Sequence, residues 1–157
     1  MDPLRPRLTL SRLIAAGGGT GFAPVAPGTV ASLAALLLGA ALLSVSPWLV
    51  TAAAALATIG GFIVLPRVRV EGDPGWVVID EFAGQWLALA TLPGPSPLGL
   101  LAAFALFRLL DITKPGPVGW ADRRHGVFGI MMDDVIAGAL VAVLLAFVQW
   151  GWTEAGL

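Results

Sequence analysis

The stretch DVIAGALVAVLLAFVQWGW, residues 134–152, carries one formal charge, at its first position. A helix needs about 20 apolar residues to cross the hydrocarbon of a bilayer. This stretch has that length and predicts a membrane span, Asp134–Trp152. Four more apolar stretches precede it: Thr29–Val45, Trp48–Leu65, Val77–Leu92 and Leu98–Ile112, the last two short. Pro27-Gly28 stops the first from running back, and Pro47 and Pro66 bracket the second.

The whole chain agrees. Its 157 residues are 57% hydrophobic and 12% charged, against about 25% charged in a soluble domain. Mean hydropathy is +0.88. The expectation is an all-α fold: a polytopic membrane bundle of about five helices, one domain over residues 1–157, with a Gly-rich N-terminal loop. No repeat of 20–50 residues recurs, which excludes a repeat protein. With no cysteine and one histidine, His125, thiolate and multi-histidine sites are excluded. A net charge of −1 gives no argument for nucleic acid. The basic, briefly apolar start runs into Gly and Pro rather than a small-residue cleavage site, so no cleaved signal is expected.

The cations sort to one side. Arg5, Arg7 and Arg12 precede the first span; Arg67 and Arg69 lie between the second and third. Arg108 ends the fourth, and Lys114, Arg123 and Arg124 precede the fifth. The connections around Ser44–Trp48 and Pro93–Pro97 are uncharged. Lys and Arg favour the cytoplasmic side, so the N-terminus is expected inside and the C-terminus outside. Trp48, Trp150 and Trp152 then meet the outer interface, Trp76 and Trp120 the inner one, and Trp86 packs within. Asp80, Glu81, Asp111, Asp133 and Asp134 fall on the basic side. Acids in a membrane bundle are costly and point to chemistry on a charged or metal-bound substrate.

Four segments carry these groups. In GGGTGFAPVAPGT, residues 17–29, glycine N–H groups and a helix N-terminus can receive phosphate; the plainer reading is an entry turn with Thr29 as N-cap. In DPGWVVIDEFAG, residues 73–84, Asp80 and Glu81 diverge by about 100° on a helix. Glu81 shares a face with Gln85. In RLLDITKPGP, residues 108–117, Arg108, Asp111 and Lys114 form one helical stripe, which suits a phosphate-and-metal site or a salt bridge. In WADRRHGVFGIMMDD, residues 120–134, the adjacent Asp133 and Asp134 repel unless a cation intervenes. Hard oxygen ligands suit magnesium; one Asp alone would serve as a cap. Arg123, Arg124 and His125 suit a substrate phosphate or anionic lipid headgroups.

Together these segments resemble the phosphatidylglycerophosphatase A family. The resemblance runs from about Gly17 to Gly138. It is carried by GTGFAPVAPGTVAS, DEFAGQW and FRLLDITKPGPVGWADRRHGVFGIMMDDVIAG. Departures occur at Val30-Ala31-Ser32, at Trp86 and around Gly116, and none removes a charged group. The resemblance implies a Mg²⁺-dependent enzyme that removes the terminal phosphate of phosphatidylglycerophosphate. It implies catalytic roles for Asp80, Glu81, Asp111, Lys114 and Asp134, and metal ligands among Asp80, Glu81, Asp111, Asp133 and Asp134. Lys114, Arg108, Arg123, Thr20 and Thr29 would meet the substrate phosphate. The expected partners are that lipid and the bilayer, with no nucleotide and a homo-oligomer allowed. The expected place is the bacterial cytoplasmic membrane, with the site on the cytoplasmic face. The alternative is a small ion or proton transporter, whose acids would sit near the midplane.

Overall fold

A computed structural model describes residues 8–69, 72 and 74–154. The sequence features at Arg5, Arg7 and Asp73 lie outside the described residues. Seven α-helices are described: α1 (Leu10–Ala15), α2 (Pro27–Val45), α3 (Pro47–Val64), α4 (Ile79–Leu89), α5 (Pro97–Thr113), α6 (Pro117–Asp122) and α7 (Val127–Glu154). Short 3₁₀ turns follow α1 and α3, and no strand occurs among the described residues. The turn after α1 is the Gly-rich loop. Gly17, Gly18 and Gly19 there take φ of 54°, 70° and 107°, values that glycine adopts without a Cβ penalty.

Three helical stretches are long and apolar enough to cross a membrane: Pro27–Val45, Pro47–Val68 and Val127–Glu154. The outward faces of these helices are apolar, with Leu37, Leu56, Ile59, Val143 and Phe147 exposed, as lipid contact requires. Trp48, Trp150 and Trp152 are also exposed, at the ends of α3 and α7 remote from the acids.

The third predicted span differs from expectation. α4 has 11 residues and rises about 16 Å, near half the hydrocarbon thickness. The chain enters the bundle before it becomes helical: Val77 and Val78 are buried, and the Val78 N–H donates to the Ala15 carbonyl at 2.9 Å. The first turn of α4 therefore lies inside the protein, and it carries Asp80 and Glu81. The far end is tied by Thr91, whose hydroxyl donates to the Ala142 carbonyl at 3.1 Å. α5 has 17 residues, about 25 Å of rise.

α4 is packed all round. Trp86 donates its indole N–H to the Ala35 carbonyl at 2.8 Å and stacks edge-on to Phe82, the packing role expected of it. Against α7 the approach is backbone to backbone. A Cβ on Gly138 would stand 2.2 Å from the Gly84 carbonyl oxygen, and one on Gly84 2.6 Å from the Asp134 carbonyl oxygen. Small residues at a crossing permit this in membrane bundles. The crossing brings the start of α4 beside the acids of α7.

α7 starts at Val127, not Asp134. Asp133 and Asp134 therefore sit in its second turn, both buried, and neither is an N-cap. Thr29 is likewise not the cap of α2, which begins two residues earlier behind Ala26.

Candidate active site

The last turn of α5 and the second turn of α7 converge. One carboxylate oxygen each from Asp111, Asp133 and Asp134 lies within 4.8 Å of the other two. Across from them, Asp80 and Glu81 complete the wall of a cavity of about 160 Å³, which Pro27, Gly28 and Lys114 also line. Asp133 and Asp80 each accept the N–H of the following residue, at 2.9 Å and 3.0 Å.

The five acids divide by their company. Glu81 is enclosed by partners. Arg108 Nη1 donates to its two oxygens at 2.7 and 2.6 Å, and the Ser32 hydroxyl donates to it at 2.5 Å. Arg108 also bonds Ser32 at 3.2 Å and Thr29 at 3.3 Å. The same Nη1 lies 2.8 Å from Asp111, three residues on, so that part of the predicted stripe forms. One guanidinium thus ties α2, α4 and α5 together.

Lys114 leaves the stripe. The helix ends ahead of Pro115, as expected for the residue before proline, and Lys114 takes a left-handed conformation, φ 47°. Its ammonium reaches Asp122 and Asp133, both at 2.6 Å. Partial burial works to lower the Lys114 pKa, but its hydrogen bonds and charge attraction to these two acids outweigh that and hold it above the ordinary lysine value. The ammonium stays charged at the rim of the acid cavity.

Asp134 forms no ion pair among the described residues. It lies in the field of Glu81, Asp80, Asp111 and Asp133. Like charges this close repel one another unless a cation is shared. Three hard-oxygen groups from two helices, with no nitrogen or sulfur donor among them, fit a small divalent cation such as magnesium. The three residues could therefore hold a metal ion.

Other expected residues are placed elsewhere. Thr20 bonds within its own turn, donating to Gly17 at 3.0 Å, and does not line the cavity. Among the described residues, Thr29 touches the site through Arg108. Arg123 is exposed and lines a groove outside the acid cavity, with Trp120 and Phe128. Ser32 and Asp122 belong to the charged network and escaped the sequence reading. Ser32 is a hydroxyl inside an otherwise apolar run, a signal that was available; Asp122 beside two arginines reads as surface. The Gln85 amide is fully buried and, like Arg108 Nε, has no hydrogen-bond partner among the described residues.

Comparison with known proteins bears on this arrangement. The family profile of phosphatidylglycerophosphatase A matches residues 13–149. Phosphatidylglycerophosphatase A of Escherichia coli is 37% identical over 159 residues, covering 96% of this chain and 92% of its own. The Haemophilus influenzae protein of the same name is 41% identical, covering 89% and 88%. A Bacteroides thetaiotaomicron protein, provisionally named a phosphatidylinositol-3-phosphatase, is 37% identical, covering 88% and 92%. No solved structure matches the chain.

Proposed function

The chain belongs to the phosphatidylglycerophosphatase A family, and on that premise we propose that it hydrolyses the terminal phosphate of phosphatidylglycerophosphate in a magnesium-dependent reaction. Asp111, Asp133 and Asp134 would hold the cation. When bound, it supplies charge neutralisation and Lewis acidity at the phosphoryl oxygens. The observation that carries the reading is the convergence of these three carboxylates, with Lys114 as the cation on their rim.

The chain's own groups have separable tasks. Lys114 orients the phosphate monoester and offsets its charge. Arg108, clamped by Glu81, keeps the end of α5 and hence Asp111 in place. Asp80, on the cavity wall outside the triad, accepts the proton of the attacking water. The water oxygen bonds to phosphorus as the bond from phosphorus to the glycerol oxygen breaks, and the leaving glycerol oxygen takes the proton from Asp80. The acids lie toward one end of the helices, which favours work at headgroup depth over transport through the midplane. Described cations share that end: Arg12 stacks on Trp76 at 4.5 Å, just ahead of α4. The positive-inside tendency then supports a cytoplasmic active site in a bacterial inner membrane.

The test is phosphate release from phosphatidylglycerophosphate in detergent micelles, with Mg²⁺ and with a chelator. Release that requires the metal is expected. Phosphatidic acid and phosphatidylinositol 3-phosphate, run in parallel, measure headgroup choice; the second follows from the Bacteroides relative. Equal release with and without metal would defeat the metal-site reading.

A further inference from the structure

Three hollows at the acid end share walls. The acid cavity includes Asp133. A second cavity of about 150 Å³ shares Asp133 and is lined further by Asp122, Arg124 and His125. A broad groove of about 560 Å³ shares Arg124 and His125 with the second cavity and ends at Trp120 and Phe128. Through the shared residues the three hollows adjoin in a row, a track from an exposed aromatic pair to the buried acids.

Cations enter along this track. Its inner end is acidic, its middle sets Arg124 and His125 beside Asp122 and Asp133, and its outer end is aromatic with Arg123 on its wall. The Arg124 guanidinium lies 4.6 Å from the centre of the Trp120 ring, and Trp120 meets Phe128 edge-on at 6.3 Å. That stacking holds an exposed arginine at the middle of the track. Aromatic rings of this kind favour the headgroup layer of a bilayer.

We propose that Arg124, assisted by His125, binds the phosphodiester of the lipid substrate. The proposal rests on the phosphatase reading above. The expected substrate carries two phosphates one glycerol apart: a terminal monoester and a diester joined to the diacylglycerol. The monoester goes to the acid cavity and its cation. The glycerol then occupies the second cavity, and the diester meets the guanidinium, whose planar fork suits phosphate oxygens. The acyl chains leave over Trp120 and Phe128 into the bilayer. Arg124 is on this account a specificity-determining residue, because phosphatidic acid has no second phosphate to offer it.

The experiment uses the full chain in detergent and short-chain phosphatidylglycerol, which carries the diester alone. Arg124→Gln should raise its Kd about tenfold, the size of one charge-assisted hydrogen bond. KM for phosphatidylglycerophosphate should rise similarly, with kcat within about twofold. Arg124→Lys should recover part of the loss, as a point charge in place of a fork. His125→Gln, with a smaller rise in Kd, serves if Arg124→Gln does not fold. An unchanged Kd, or a fall in kcat with KM intact, would overturn the proposal. Wild-type protein that binds phosphatidylglycerol in an Arg124-dependent way yet releases no phosphate would uphold the subsite and defeat the phosphatase reading.

Discussion

Glu81 and Asp134 are buried acids on the wall of one cavity, and they keep opposite company. Glu81 has a guanidinium and a hydroxyl within 2.7 Å. Asp134 has four neighbouring carboxylates, Glu81, Asp80, Asp111 and Asp133, and no ion pair of its own among the described residues. A carboxylate already satisfied by the protein is a clamp. One left among like charges is poised for a ligand from outside. On the proposed reading, the same side-chain chemistry serves architecture at Glu81 and binding at Asp134.

The contrast breaks most sharply at the ligand wall. Asp134→Asn and Asp111→Asn should each lower phosphate release about a hundredfold or more with insertion retained; thermal stability should stay near wild type for Asp134→Asn and fall for Asp111→Asn, which loses an ion pair with Arg108. Asp80→Asn should cost activity on a similar scale. Near-normal turnover in all three would remove the functional half of the comparison.

At the clamp wall the loss should fall on stability. Glu81→Gln leaves Arg108 without its main partner and should destabilise the fold by about 3 kcal/mol, read as a lower Tm in detergent. Pairing it with Arg108→Met should return part of that stability, since an apolar replacement of a buried pair is often tolerated. A Glu81→Gln protein with unchanged Tm and abolished metal dependence would move Glu81 to the ligand wall.

Gly84→Ala tests what brings the walls together. The added methyl meets the Asp134 carbonyl and Phe107, and overpacking of this kind costs about 2 kcal/mol. Both Tm and activity should fall, because the α4–α7 crossing sets the cavity. The smallest expected effect is Ser32→Ala, about 1 kcal/mol, with activity reduced a fewfold; a loss as deep as that of Asp134→Asn would make Ser32 a substrate contact.

Much of this was legible beforehand. Apolar runs and prolines located α2, α3 and α5, and the cation pattern placed all five acids at one end. Two boundaries were not legible for one shared reason. Hydropathy cannot separate a residue facing lipid from one facing protein. Val77-Val78 therefore read as the start of a span, although they are buried non-helical chain. Val127–Met132 read as a connection, although it is the first turns of α7. The second error hid the burial of Asp133 and Asp134 and made a cap a plausible reading. The Arg108–Asp111 contact was legible because i,i+3 spacing is local. The links from Arg108 to Glu81 and from Lys114 to Asp122 and Asp133 were not, because they join separate elements.

The sequence by itself determined the solvent, the charged end and the inventory of acids. These follow from composition and order, since each apolar residue and each charge has its transfer cost wherever the chain goes. Only the tertiary structure decided which acid is neutralised by which cation. Coulomb attraction and hydrogen bonding act over a few ångströms. The close crossing of α4 and α7 at Gly84 and Gly138, and the turn at Lys114, set those ångströms.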